Sequence, residues 1–120
     1  MGWYNESMKI KHGDKGFLYT TKSGYALSVQ YGGGNYCGNR GLDYRVRGED
    51  VPETSDCEIA LWNTNTKDQP FIPLSENETV RGWVPLDLIP HLMIALDDRG
   101  PEGMRDVLAK SLAHERDNKW

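Results

Sequence analysis

The chain has 120 residues, of which 38% are hydrophobic and 27% are charged. This length supports one domain with its own hydrophobic core, so folding needs neither disulfides nor metals. The net charge of −4 excludes a general polyanion binder, because affinity for nucleic acid comes mainly from neutralising phosphates. No apolar run approaches the length of about 20 residues that a membrane span needs, and the first residues do not resemble a secretory signal.

The first zone of the chain predicts three short strands. Apolar and polar residues alternate over 8–12 and over 25–31, and the short apolar run 17–20 lies between them. The alternation over 25–31 puts one face of that strand in the core and the other in water. Glycine-containing turns at 13–16 and 23–24 separate the strands. Because only one face is apolar, the pattern favours an antiparallel sheet.

Strands are also predicted at 57–62, at 71–74 and at 80–84, the second as an edge strand because of its proline. Another short edge strand is predicted at 44–47. The tryptophans Trp62 and Trp83 occupy outward positions, where we expect the C-terminal helices to cover them.

The C-terminal third predicts a pair of helices. Apolar residues recur at helical spacing over 88–96, Gly100 ends that helix, and Pro101 opens the second, where proline fits best. The chain is therefore predicted as one α+β domain, strand-rich over 8–84 with a helical pair over 88–117. About five or six short antiparallel strands would carry both helices on one face.

The glycine-rich loop 32–41 could hold a nucleotide or another small anion. Backbone N–H groups of glycine turns form concave anion sites, and Arg40, Arg45 and Arg47 supply guanidinium groups. The loop is neither a dinucleotide-binding fingerprint, whose last glycine is replaced by Cys37, nor a P-loop, since Gly-Lys-Ser/Thr is missing. A plain hairpin loop with solvated arginines fits the same residues.

Catalysis and metal binding have weak support in the sequence. Arginines near Cys37 would favour its thiolate, but no local His or Asn supplies a base. Cys57 begins an alternating strand and is predicted to be a small buried residue. The histidines lie far apart, so we expect no metal and no cofactor. We expect a binding protein and not an enzyme, with cysteine-dependent catalysis as an open alternative.

Tyrosines and arginines gather in the irregular segment 31–47, next to an acidic segment at 49–58. These two residue types dominate protein-binding hot spots, and long irregular stretches in compact domains are usually functional. The predicted partner- or anion-binding residues are Tyr31, Asn35, Tyr36, Arg40, Tyr44, Arg45 and Arg47.

Residues 28–32 (Ser-Val-Gln-Tyr-Gly) and 34–40 (Gly-Asn-Tyr-Cys-Gly-Asn-Arg) resemble segments of certain small proteins of uncharacterised function that bacteriophages and prophages encode. The resemblance extends to 57–62 and 80–84 and covers about half of the chain. It implies an accessory protein in the cytoplasm of a bacterial host cell that binds a host component, antiphage defence included. It assigns no functional residue.

These observations predict a phage-type accessory protein that binds a host protein and inhibits or modulates it by steric occlusion through 31–47 and the adjoining acidic segment 49–58. A module that sequesters a nucleotide or another anion at 32–41, and an immunity-type protein that neutralises a toxin, are the alternatives. Neither nucleic acid nor a membrane is expected as a partner, since the last helix interleaves acidic and basic residues. The oligomeric state is open, and short strand edges allow a homodimer.

We expect the paired substitution Arg45→Glu with Arg47→Glu to abolish partner binding, because it reverses both charges in the predicted surface. Circular dichroism and the melting temperature should stay nearly unchanged, since solvated arginines add little stability. A pull-down from bacterial lysate, read by mass spectrometry, checks this. Retained binding would contradict the predicted interface.

Overall fold

The computed structural model of the chain describes residues 8–13, 15–32, 53–68 and 70–119, with side chains in the C-terminal helix described as far as residue 111. Within these residues an antiparallel sheet runs in chain order, each strand pairing with the next. This confirms the predicted antiparallel sheet and α+β class. The strands are β1 (Lys9–Gly13), β2 (Gly16–Thr20), β3 (Tyr25–Gln30), β4 (Asp56–Asn63) and β5 (Val80–Pro85).

One C-terminal helical element follows the sheet in place of the predicted pair of helices over 88–117, but the predicted break at Gly100 is present inside it. A 3₁₀ turn at Leu86–Leu88 leads into α1, which spans Ile89–Lys119. Gly100 has φ 74° and ψ −164° and kinks α1, because a left-handed residue interrupts the helical backbone. Pro101 follows at once in the first turn beyond the kink, where its missing N–H leaves no bond unmade. The interruption is therefore one residue long and does not become a loop.

The core lies between α1 and one face of the sheet. Across β3 and β4, Leu27 pairs with Leu61 and Val29 pairs with Ile59, and all four side chains are buried. Full burial of such a side chain contributes roughly 2 kcal/mol, so this contact between β3 and β4 is a large part of the core's contribution to stability. The helix adds the buried residues Leu92, Leu96, Met104 and Leu108.

β5 contains an irregularity that changes the facing of its last residues. The register between β4 and β5 shifts between Cys57 and Ile59, and Trp83 takes φ 51°, which is uncommon for a residue other than glycine. The side chain of Trp83 is 54% exposed while that of Val84 is buried. The expectation that helices cover Trp83 is therefore wrong, because this outward position stays exposed while Val84, which pairs with the buried Cys57, lies in the core.

Trp62 is half-buried and packs against Phe71, their ring centroids 5.9 Å apart. A single β-bridge joins the same two residues, so the predicted edge strand at 71–74 is reduced to one paired position. Proline at position 73 explains this, since it has no N–H to continue a ladder. The predicted strand at 44–47 lies outside the described residues.

Gly16 is expected to be intolerant of a side chain. Its φ is 147°, and an added Cβ would overlap the carbonyl oxygen of Val29. Gly16→Ala should therefore lower the free energy of unfolding by about 3 kcal/mol, through strain and overpacking together.

Gly13→Ala is the matched control, because the nearest atom to its added Cβ would be the oxygen of Gly16 at an ordinary 3.6 Å. We expect it to change stability by less than about 0.5 kcal/mol. Urea denaturation of both variants measures the difference, and equal costs would contradict the close approach of β2 to β3 at Gly16.

Candidate functional site

Of the residues predicted to bind a partner or an anion, the structure describes Tyr31. It follows β3, is half-buried, and its backbone N–H donates a hydrogen bond of 2.7 Å to the carbonyl oxygen of Lys15. This bond ties the end of β3 to the turn between β1 and β2. The other predicted residues lie outside the described part of the chain, so that surface stays a prediction. They are Asn35, Tyr36, Arg40, Tyr44, Arg45 and Arg47.

Cys57 is fully buried in β4, which confirms the prediction of a small buried residue. Its thiol donates to the carbonyl oxygen of Val84, with Sγ at 3.5 Å. In the part of the chain that is described, no three His, Cys, Asp or Glu side chains gather as metal ligands would. The described helical residues also include no segment long and apolar enough to span a membrane.

A groove of about 810 Å³ opens between the edge strand β1 and the first half of α1. We call it the β1–α1 groove. Lys9, Asp97 and Asp98 contribute to its lining. Its apolar lining consists of Met8, Ile10, Tyr19, Pro90, Met93 and Ile94.

Strand alternation explains why β1 contributes apolar side chains to this groove. Ile10 pairs with Tyr19 of β2, and Tyr19 pairs with the core residue Leu27, so Ile10 lies on the face that α1 covers. Yet Ile10 is 63% exposed, Met8 just before β1 is 52% exposed and Ile94 on α1 is 68% exposed. A cluster of exposed large apolar side chains is typical of an interaction site.

Tyr19 is buried at the base of the groove. Its hydroxyl donates to Sδ of Met8 at 2.8 Å. Burial raises the pKa of Tyr19, and the carboxylate of Asp97 raises it further. Asp97 in turn accepts a 3.4 Å hydrogen bond from the backbone N–H of Lys22, so a helix carboxylate is held beside the turn that follows β2.

The charges around the groove are unevenly distributed. Asp97 and Asp98 form an acidic end, and neither takes part in the ion pairs that the structure describes on α1, which join Asp106 to Arg99 and to Lys110. Lys9 and Lys11 stand on β1 opposite Thr20 and Leu18. Strand alternation therefore puts both lysines on the face of the sheet opposite Ile10, although Lys9 also borders the groove.

Reasoning from the sequence missed this groove. Ile94 was a usable signal, because it falls between the helical positions that carry the buried residues Leu92 and Leu96 and so had to point away from the core. Nothing in the local pattern indicates that Met8 and Ile10, more than eighty positions away, lie beside it.

Comparison of the chain with protein-family models, with curated proteins and with solved structures finds no match. The resemblance to phage-encoded proteins is not tested by these comparisons and stays a prediction. Function is therefore inferred from the shape, apolar surface and charge of the groove.

The raised pKa of Tyr19 predicts an alkaline loss of stability. A group whose pKa is higher in the folded state contributes stability that is fully present below its unfolded pKa of about 10 and is lost as pH rises through the folded value. We expect the melting temperature of the unmodified protein to fall more steeply above pH about 10 than that of Tyr19→Phe, which has no such proton.

Differential scanning calorimetry at a series of alkaline pH values measures the two slopes. Ultraviolet titration of tyrosinate, as the difference between the two proteins, reports the pKa of Tyr19 directly. Asp97→Asn should move that pKa back toward its ordinary value, because one of its two causes is removed. Equal slopes together with an ordinary pKa would contradict the buried position of Tyr19 beside Asp97.

Proposed function

We propose that this chain is a binding protein that acts by covering part of the surface of a partner protein, and that the β1–α1 groove is its contact surface. One observation carries the proposal. Met8, Ile10 and Ile94 are each more than half exposed and converge on one groove. Their burial against a partner would remove apolar area from water, which is the main favourable term in protein association.

The shape of the site favours a macromolecule over a small molecule. Sites for small molecules enclose most of the surface of their ligand, whereas Ile94 at 68% exposure and Ile10 at 63% protrude into solvent. Protruding apolar side chains fit as anchors into recesses of another protein. The exposed backbone of β1 continues the same surface.

The mode of action that we propose is inhibition or modulation by steric occlusion. It needs no catalytic group, and a domain of this size is large enough to mask a standard interface of about 800 Å² per partner. A host protein, antiphage defence components included, is the partner class that the resemblance of 28–40 implies. On the sequence evidence alone, the segment 31–47 is a second candidate contact surface. Anion binding by the loop 32–41 is a second candidate function.

Ile94→Asp should abolish capture of the partner. The exposed position tolerates a polar side chain in the free protein, but an aspartate buried in an apolar interface costs enough to weaken binding roughly tenfold or more. Ala109→Asp is the matched control, since it puts the same residue at another exposed position of α1, outside the groove lining. Pull-downs from bacterial lysate with tagged proteins, quantified by mass spectrometry, compare the two variants.

A partner that is lost with Ile94→Asp and kept with Ala109→Asp supports the groove. A partner kept with Ile94→Asp but lost with the Arg45→Glu, Arg47→Glu pair overturns the groove and supports the segment 31–47. Circular dichroism and melting temperatures of every variant verify that the fold is unchanged.

A further inference from the structure

The strand β1 is an open edge of the sheet. Among the described strands it pairs only with β2, and all five of its residues are exposed. The opposite edge, β5, has a register shift, Trp83 at positive φ and Pro85, features that hinder further strand pairing. Alternate residues of β1 direct N–H and C=O groups away from β2, where another chain can bond to them.

We propose that an extended segment of the partner adds to the sheet along β1, with alternate side chains apolar toward the β1–α1 groove and acidic on the opposite face. The inference rests on the proposed function and names its partner chemistry and binding mode. Strand addition supplies affinity through backbone hydrogen bonds, while the alternate side chains supply specificity.

The groove face of such a strand must be apolar. Side chains of an added strand would lie next to those of Met8 and Ile10 on the same face. From there they would extend over Met93 and Ile94, which line the groove on the helix side. A partner strand with apolar residues at every second position would therefore pack its side chains against these four.

The opposite face selects acidic residues. Lys9 and Lys11 alternate with Ile10 along β1, which puts them on the opposite face of the strand even though Lys9 also borders the groove. An added strand would place its intervening side chains directly beside them. Cross-strand neighbours lie about 5 Å apart, so opposite charges attract and like charges repel there. Glutamate or aspartate is the complement of these two lysines.

One end of the groove selects a basic residue. Asp97 accepts a hydrogen bond from the backbone of Lys22, and Lys22 follows Thr20, which pairs with Lys9. Asp97 therefore lies toward the Met8 end of β1. A lysine or arginine on the groove face of the bound strand, at that end, would neutralise Asp97 and Asp98, which form no ion pair with the described residues.

A second copy of this chain is a poorer occupant. Antiparallel pairing of β1 with itself would bring Lys9 and Lys11 against the same two lysines on one face, which is destabilising. Charge thus favours a different chain.

Synthetic peptides test the inference on the intact protein. The matched probe alternates glutamate and valine, is capped at both ends, and carries one arginine on the valine face. Two versions of the matched probe are made, one with the arginine near the carboxyl end and one with it near the amino end. Both are needed because antiparallel and parallel addition bring different ends of the peptide to Met8. The inverted probe alternates lysine and valine and carries one glutamate in place of the arginine.

Titrations followed by amide NMR shifts of Ile10 and Ile94 should show one matched probe binding roughly tenfold more tightly than its inverted form, because several charge contacts change sign. Lys11→Glu should reduce or reverse this preference. Lys67→Glu, an equal charge change at an exposed turn outside the groove lining, should leave the preference intact.

Equal or weaker binding of both matched probes relative to the inverted ones overturns strand addition, and so does an unchanged preference in Lys11→Glu. In that case, loss of the natural partner by Ile94→Asp would still support the groove as the contact surface. The peptide result would then contradict strand addition and leave the proposed function standing. Sedimentation of the unmodified protein should give a monomer. A dimer that Ile94→Asp dissociates would overturn the inference in favour of a second copy.

Discussion

Among the described residues, one helix covers one face of a five-stranded sheet. The helix is narrower than the sheet, and the rest of the described structure depends on this difference in width. A helix with its side chains is about 10 Å across, whereas strands spaced about 4.8 Å apart make a five-stranded sheet about 20 Å wide. The helix therefore buries the central strands, where Leu27 and Leu61 are fully enclosed. It leaves Met8 and Ile10, at the edge of the described sheet, more than half exposed.

The β1–α1 groove is the direct consequence of this partial cover. Tyr19 lies where helix cover ends, so its ring is buried while its hydroxyl reaches Met8 at the edge. Asp97 reaches the same region from α1, and its hydrogen bond to Lys22 links the helix to the sheet. Asp97 thus contributes both to the raised pKa of Tyr19, whose first cause is burial, and to the acidic end of the groove, which it shares with Asp98.

Local periodicity was enough to predict most of the elements. Two-residue alternation located the paired strands and their inner faces, as Cys57, Ile59 and Leu61 in β4 confirm. The prediction failed where one residue changes the local geometry. The positive φ of Trp83 accompanies a bulge that a strict alternation cannot contain. Gly100, by contrast, interrupts the helix at the predicted position, although the two halves form one kinked element. The predicted binding residues after Tyr31 lie outside the described part of the chain.

The amino-acid sequence determined which segments are strands or helix and which side of each is apolar, because these properties depend on neighbours within a turn or two of the backbone. Only the tertiary structure decided that Met8 and Ile10 stand beside Ile94 and that Asp97 lies near Tyr19. Such contacts join positions 75 residues apart, as between Lys22 and Asp97. Their formation depends on the packing of α1 across the whole sheet, which no local pattern encodes.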